Sequence, residues 1–346
     1  MALRLQTAQG AYPEAATDYF DFTKLDAFHH PEVLTVLYDQ GWYSVLITDD
    51  AGHAFLHSYV MNPLPHGHMG FDIEPFIGYA GPVVTEGSDA EFGRVALASY
   101  AEHCRTAGIV AEVVRFNPLL NNVDHFTDAQ QLRVIPAKDI VVAECHADDA
   151  AQLASFQTKC RSSVKRGQRD CTYEMLDKAT EWDAFVQFYY ASLQRIGADK
   201  KWFYPAELLQ RAAQSNFFQV YVVKYEGQWA SLSLVIEHPL ASYYFAAASG
   251  QQPVQGANEF LLFTIAQALG RAGGKWLIMG GGNTASDDDP LLRFKRKFAH
   301  DLTPLTMGCL AHDQERLTAL VNEAVVRHPE LADVRFFLKY RLHPEA

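Results

Sequence analysis

Alternating runs of β-branched and aromatic residues, each broken by an acidic residue and a glycine, occur twice along the chain. The first runs from Gly41 to Leu56 and turns at Gly52; the second runs from Asn216 to Ser231 and turns at Gly227. Period-two alternation around such a turn predicts a β-hairpin. Trp42 precedes Gly52, and Phe217 precedes Gly227, by the same ten residues. Each hairpin leads through further strand-like sequence to a helix and then to a short apolar strand. In the first copy Ser88 and Glu91 form a capping box, Leu97, Tyr100 and Cys104 make the apolar stripe, and Gly108 ends the helix. In the second, Asn258 caps a helix whose stripe is Leu262, Ile265 and Leu269, ending at Gly273 and Gly274. The strands that follow are Val110–Val114 and Trp276–Met279. Hairpins combined with a helical crossover require mixed sheets rather than purely parallel ones.

The pattern predicts an α/β chain of two duplicated domains, residues 1–152 and 153–346, each a mixed β-sheet flanked by helices. The boundary is expected in the Asp/Ala-rich stretch Ala147–Ala154. A basic segment, Thr158–Arg169, opens the second domain. A helix follows over about Thr180–Ile196, with Trp182, Phe185 and Tyr189 in the core, and the tail Asp313–Arg327 reads as one more amphipathic helix.

Length supports two domains, since 346 residues exceed one ordinary core of roughly 100–200. Hydrophobic residues make up 49% and charged residues 20%, a globular composition. A net charge of −12 argues against general nucleic-acid coating, though not against a local basic patch. Five cysteines share no metal-like spacing and read as reduced thiols. The first residues lack the apolar core of a signal peptide, and no apolar run reaches the ~18 residues of a span. A cytoplasmic protein, monomeric or homodimeric, is expected.

The chemistry concentrates between Trp276 and Phe298. A buried strand runs into Gly280, Gly281 and Gly282, then an acidic loop, then a basic-aromatic helix. Glycines at a strand end let backbone approach a ligand. There is no Lys-Ser/Thr after them, so this is no nucleotide P-loop, and no GxGxxG opens a helix. On a helix, Arg161, Lys165 and Arg169 would share one face and offer it to a diphosphate or a tRNA backbone. Asp287, Asp288 and Asp289 form a polar loop; Asp288 can hold an acceptor amine. His238, after a strand, is a candidate base, and Tyr244 a candidate phenol near the leaving group. Arg115 and Asn117, at a strand end, can read an acceptor's phosphate or sugar. His66 and His68 have too few companions for a metal site, and no metal is expected. No Ser–His–Asp or Cys–His set is recognisable.

The order of Arg161, Lys165, Arg166 and Gly167, the helix start at Asn258, the triple glycine, and Leu292, Arg293, Phe294, Lys295 and Phe298 resembles the FemAB-like branch of the GNAT acyltransferase superfamily. Gly78, Tyr79, Gly81 and Pro82, with Val114 to Leu119, resemble that family's N-terminal half. The likeness covers most of residues 40–300. It implies two tandem GNAT-like domains, acceptor recognition by the first (Tyr79, Arg115, Asn117) and catalysis in the second. It also implies that Lys295 supports the reaction, and that no catalytic triad is needed because the donor is already activated. The better-known members take amino acids from aminoacyl-tRNA. Here the coiled-coil insertion of the larger peptidoglycan-bridge enzymes is absent. The acyl-CoA loop of ordinary GNAT enzymes is matched only loosely by Gln251–Ala257, which makes Gln255, Gly256, Ala257 and Asn258 the candidate donor-binding residues. Three readings follow. The first is an N-acyltransferase using acyl-CoA as donor substrate, with no permanent cofactor, and an amine on a sugar, nucleotide-sugar or amino-acid-like acceptor. The second is an aminoacyl-tRNA-dependent aminoacyltransferase. The third is a non-catalytic tandem binding protein.

Overall fold

The computed structural model describes residues 2–74, 78–284 and 286–342. In chain order the strands are β1 (Leu3–Gln9), β2 (Tyr43–Asp49), β3 (Ala54–Tyr59), β4 (Met61–Pro63), β5 (Phe71–Ile73), β6 (Val83–Val84), β7 (Ile109–Arg115), β8 (Leu132–Pro136) and β9 (Val141–Glu144). They continue with β10 (Thr172–Met175), β11 (Phe218–Tyr225), β12 (Gln228–Ile236), β13 (Ser242–Ser249), β14 (Trp276–Gly280) and β15 (Thr306–Ala311). The helices are α1 (Pro31–Tyr38), α2 (Ala90–Thr106), α3 (Asp149–Ala154), α4 (Thr158–Asp170), α5 (Trp182–Ile196), α6 (Ala206–Gln214), α7 (Ala257–Arg271), α8 (Pro290–Lys295) and α9 (Gln314–Arg327).

These elements form two compact units. The first comprises Met1–Phe22, Tyr38–Ala137 and Leu305–Ala346; the second comprises Thr23–Leu37 and Lys138–Pro304. The boundary expected at residues 152 and 153 is therefore corrected. The Asp/Ala stretch is no linker: Asp148 caps α3 by accepting from the Ala151 N–H at 2.9 Å. Gln152 is fully buried and bonds the His146 N–H at 2.7 Å and the Glu144 carbonyl at 2.9 Å. β9 already belongs to the second unit, where it pairs antiparallel with β14. β15 returns to the first unit and lies between β7 and β8.

Both predicted hairpins form, as β2–β3 and β11–β12. Both crossovers close on a parallel pair, β5 with β7 and β13 with β14. The second unit carries one mixed sheet of order β10-β11-β12-β13-β14-β9. In the first, the single expected sheet is split into an antiparallel sheet β1-β2-β3-β6 and a mixed sheet β4-β5-β7-β15-β8.

Two predicted caps move. Ser88 Oγ is engaged with Thr85 Oγ1 at 2.9 Å, so Asp89 caps α2 instead, accepting from the Phe92 N–H at 2.8 Å. Asn258 lies inside the first turn of α7, where its Oδ1 accepts from Ser231 and Ser249 hydroxyls. The cap is Gly256, with φ +86°. The stripe assigned to α7 is also too narrow: Phe260, Leu261, Leu262, Phe263, Ile265, Ala266 and Leu269 are all buried. This is the central helix of the second core. Each such side chain removed from water contributes about 1.5–3 kcal/mol before entropy is counted. α4 crosses α7 at close range. A Cβ on Gly167 would sit 2.4 Å from Phe260 Cβ and 2.5 Å from the Gly256 carbonyl. The buried face of α4 is Cys160, Val164 and Gly167, which turns its cations outward.

The second unit also recruits Thr23–Leu37. Tyr243 donates to Asp26 at 2.6 Å, Ser215 to Glu32 at 2.6 Å, and Arg211 to the Val36 carbonyl at 2.9 Å. Among the described residues no helix is long and apolar enough to cross a membrane, and no cluster of His, Cys, Asp or Glu could hold a metal. All five cysteines are buried and free.

Candidate active site

The apolar strand β14 ends at Gly280, whose φ of +73° lies in the left-handed region that favours glycine. β13 and β14 pair at just two registers, Ser242 with Leu277 and Tyr243 with Ile278. Beyond these the strands part, and the glycine run lies on one arm of the opening. Gly282 is held against Asp289: a Cβ there would fall 2.4 Å from Asp289 Oδ1.

Asp289 is buried and organises the loop. Its Oδ1 accepts the Leu291 and Leu292 N–H groups at 2.9 and 3.0 Å, which caps α8. Its Oδ2 accepts the Asn283 and Thr284 N–H groups and the Thr284 hydroxyl at 2.9–3.0 Å. The bonds from Leu292 and Thr284 outweigh burial and hold this carboxyl at about 2. Pro290 at the first helical position needs no N–H partner and fixes the start of α8. The short helix then turns Leu292 and Lys295 inward, three residues apart.

Lys295 is 8% exposed, and its Nζ donates to the Gly281 carbonyl at 2.8 Å. Among the described residues no carboxylate lies within ion-pair distance of it. Burial pulls its ammonium down to about 8, against a partial opposing pull from Asp289. Its cationic neighbours behave differently: Arg296 is 3.6 Å from Asp287 and Lys297 is 3.0 Å from Glu259. Both of these are half-buried and each has a carboxylate within ion-pair distance. A buried ammonium that donates to a neutral carbonyl rather than to a carboxylate is costly, and such groups concentrate at functional sites.

The other candidates are spread more widely. Tyr244 follows the last β13–β14 pair, on the arm facing the opening, and burial raises its phenol well above the usual range. His238 lies before the start of β13, near Ser242, the residue that pairs with Leu277. Leu277 lies four residues before Gly281, about 13 Å along an extended strand at ~3.3 Å per residue. Its Nδ1 accepts the Leu240 N–H at 3.3 Å, a turn contact. Asp288 is exposed and its N–H bonds the Ser286 hydroxyl; the buried carboxylate of the acidic trio is its neighbour.

Gln255, Gly256, Ala257 and Asn258 gather at the α7 N-terminus, beside α4. Arg166 donates to the Gln255 side chain, and Lys165 is exposed on the next turn face. Arg161 folds back onto the Phe156 and Ala154 carbonyls at 2.8 and 2.9 Å. Arg169 is paired with Asp170 at 2.8 Å. The three-cation face therefore reduces to Lys165, with Arg166 beside it.

In the first unit, Arg115 is exposed at the end of β7. Asn117 is buried and acts as a turn former: its Oδ1 accepts the Leu119 and Leu120 N–H groups, and its Nδ2 donates to the Tyr79 carbonyl. Together with Asn122, which donates to the Ala80 and Pro82 carbonyls, it pins the 78–82 strap across the end of β7.

Sequence reasoning missed two features. Asp289 was read as part of a polar loop; the signal available was an Asp immediately before a Pro-started helix. The second is a buried polar knot in the first unit. Glu112 on β7 accepts from His57 Nε2 at 2.6 Å and from the Tyr100 hydroxyl at 2.8 Å, with His312 Nε2 at 3.4 Å. These residues are dispersed over 255 positions and carry no motif.

No family model matches the chain, and no curated protein matches its sequence. Solved structures share its fold. FemX is 14% identical over 87% of this chain and 94% of its own, with a TM-score of 0.61. The C-terminal domain of an Agrobacterium fabrum protein assigned as a lysylphosphatidylglycerol synthetase is 16% identical over 88% and 92%, with a TM-score of 0.57. L-PGS from Bacillus licheniformis is 11% identical over 83% and 89%, with a TM-score of 0.54. The FemAB-like resemblance read from the residues thus holds at the level of fold.

Proposed function

We propose that this protein is an N-acyltransferase that moves an acyl group from an acyl-CoA thioester to an amine, with Lys295 stabilising the developing oxyanion. The observation that carries the reading is the buried Lys295 ammonium at the glycine-rich end of β14. One of its protons is spent on Gly281, which leaves donors for an oxygen that gains charge in the transition state. In a water-poor setting such a donor needs no reorganisation when the charge appears. Attack forms the C–N bond, the tetrahedral oxyanion collapses, the C–S bond breaks, and the amine's proton is passed to the departing thiolate through solvent. The carbonyl group would lie along the opening between β13 and β14, with Tyr244 on the facing arm.

The α7 N-terminus supports the thioester donor. Its cap, Gly256, makes no side-chain cap bond, and Arg166 and Lys165 stand beside it. A helix N-terminus with adjacent cations suits the diphosphate of CoA. Fold likeness to FemX and to lysylphosphatidylglycerol synthetases favours the alternative, aminoacyl transfer from tRNA. Against it, Arg161 and Arg169 are engaged internally, so few cations remain for a phosphate backbone.

The test is thiol release from a panel of acyl-CoA thioesters with amino sugars and amino acids as acceptors. Lys295→Ala should cut turnover about 10²–10³-fold with an unchanged circular dichroism spectrum. Unchanged turnover removes Lys295 from the mechanism. Transfer that requires aminoacyl-tRNA, with no CoA thioester accepted, replaces the donor.

A further inference from the structure

In the first unit, past the Ile73–Glu112 pairing of β5 and β7, a cavity of about 20 Å³ opens between the strands. His57, Glu74, Glu112 and Arg115 line it, with Gly78 and Ala80 of the strap. That volume admits one water-sized group.

The hydrogen-bond inventory fixes what the cavity presents. A carboxylate only accepts, so the 2.6 Å contact with Glu112 Oε1 puts the proton of His57 on Nε2. In the tautomer that carries its single proton there, Nδ1 offers a lone pair. It is buried, and among the described residues it has no hydrogen-bond partner. Behind it Glu112 is held ionised. Hydrogen bonds from His57 Nε2 and the Tyr100 hydroxyl stabilise that carboxylate against burial. Glu74, half-buried, adds a second carboxylate, and Arg115 is exposed on the solvent side. Ser58, Tyr59 and Arg115 also line the cavity, and the carboxylates of Glu74 and Glu112 with the His57 acceptor suit a cation that carries N–H donors. A bare metal ion does not fit, because no three potential ligands converge among the described residues.

We propose that the first unit holds its own amine site, in which the ammonium head of a small primary amine occupies this cavity and donates to His57 Nδ1. The arrangement is a carboxylate–imidazole dyad with its free nitrogen turned to the ligand, the form that prepares a base. Groups facing His57 from packed elements are Glu112 on β7, Tyr100 on α2 and His312 after β15. The site does not depend on Lys295 or on the acyltransferase reading.

The experiment is titration of the full chain with propylamine, and with propan-1-ol as the uncharged isostere, followed by 15N–1H correlation of the histidine rings. Propylamine should shift the His57 ring nitrogens saturably, Nδ1 most of all; propan-1-ol should not. Glu74→Gln, at the half-buried rim, should weaken binding about tenfold, and His57→Gln should abolish the saturable shift. Lys295→Ala should bind propylamine as the parent does, which separates failure here from failure of the acyl-transfer reading. Equal responses to amine and alcohol, or propylamine binding unaltered by Glu74→Gln, would show that the cavity holds water only. Should His57→Gln not fold, Glu74→Gln decides.

Discussion

Replacing Lys295 by Met should stabilise the protein at neutral pH while abolishing turnover. An ammonium pulled from its ordinary 10.5 to about 8 pays for burial in folding free energy. The gap is worth about 3 kcal/mol, since each pH step corresponds to 1.36 kcal/mol. Met fills similar volume without charge, and loses the bond to Gly281, worth about 1 kcal/mol. The expected net gain at pH 7 is about 2 kcal/mol, or a melting temperature higher by about 5 °C. The sign follows from linkage. Below pH 8 both folded and unfolded chains carry the proton, so the penalty is fully present. Between 8 and 10.5 the unfolded chain binds more protons than the folded one, and parental stability rises with pH. The advantage of Lys295→Met should therefore shrink from pH 8 upward and reverse near pH 10. Urea denaturation of both proteins between pH 6.5 and 10.5 measures this. A variant less stable than the parent at pH 7 by more than about 1 kcal/mol, or a difference that ignores pH, would refute a desolvated Lys295.

Gly167→Ala should destabilise by about 1–3 kcal/mol despite the better helix propensity of alanine. Its Cβ meets backbone at Gly256 and the stem of Phe260, neither of which can rotate away; urea midpoints check it. Gly282→Ala should lower turnover at least tenfold with a small change in melting temperature, because the new methyl strikes the Asp289 carboxylate and displaces the loop. Turnover at the parental level would show that the loop's position is not critical.

The repeated order of hairpin, strand, helix and strand was legible because period-two and period-3.6 patterns are local, and both copies form as read. Lys295 was found through a motif rather than a period, and its burial was not readable: four cations lie within Arg293 to Lys297, interrupted only by Phe294. Helix α8 decides which turns inward, through Asp289 and Pro290. The capping errors at Ser88 and Asn258 share a cause. Both side chains found better partners in tertiary structure, Thr85 for one and Ser231 with Ser249 for the other. The domain boundary failed because β9 and β15 pair outside their own sequence halves, a non-local choice that no window of residues encodes. His57, Glu112 and His312 were invisible for the same reason.

That exchange of strands governs the order in which the chain can mature on the ribosome. The second unit is fully synthesised once Pro304 has emerged. The first unit, although its sequence begins earlier, waits for Thr306–Ala311 to slot between β7 and β8, and for His312 to reach Glu112. Until then two strands of the opening half have exposed edges, the state most prone to wrong pairing. A chain stalled or clipped before residue 305 would keep the segment bearing Lys295 and lose the closing strand of the other unit, so synthesis of β15 is itself a checkpoint on folding.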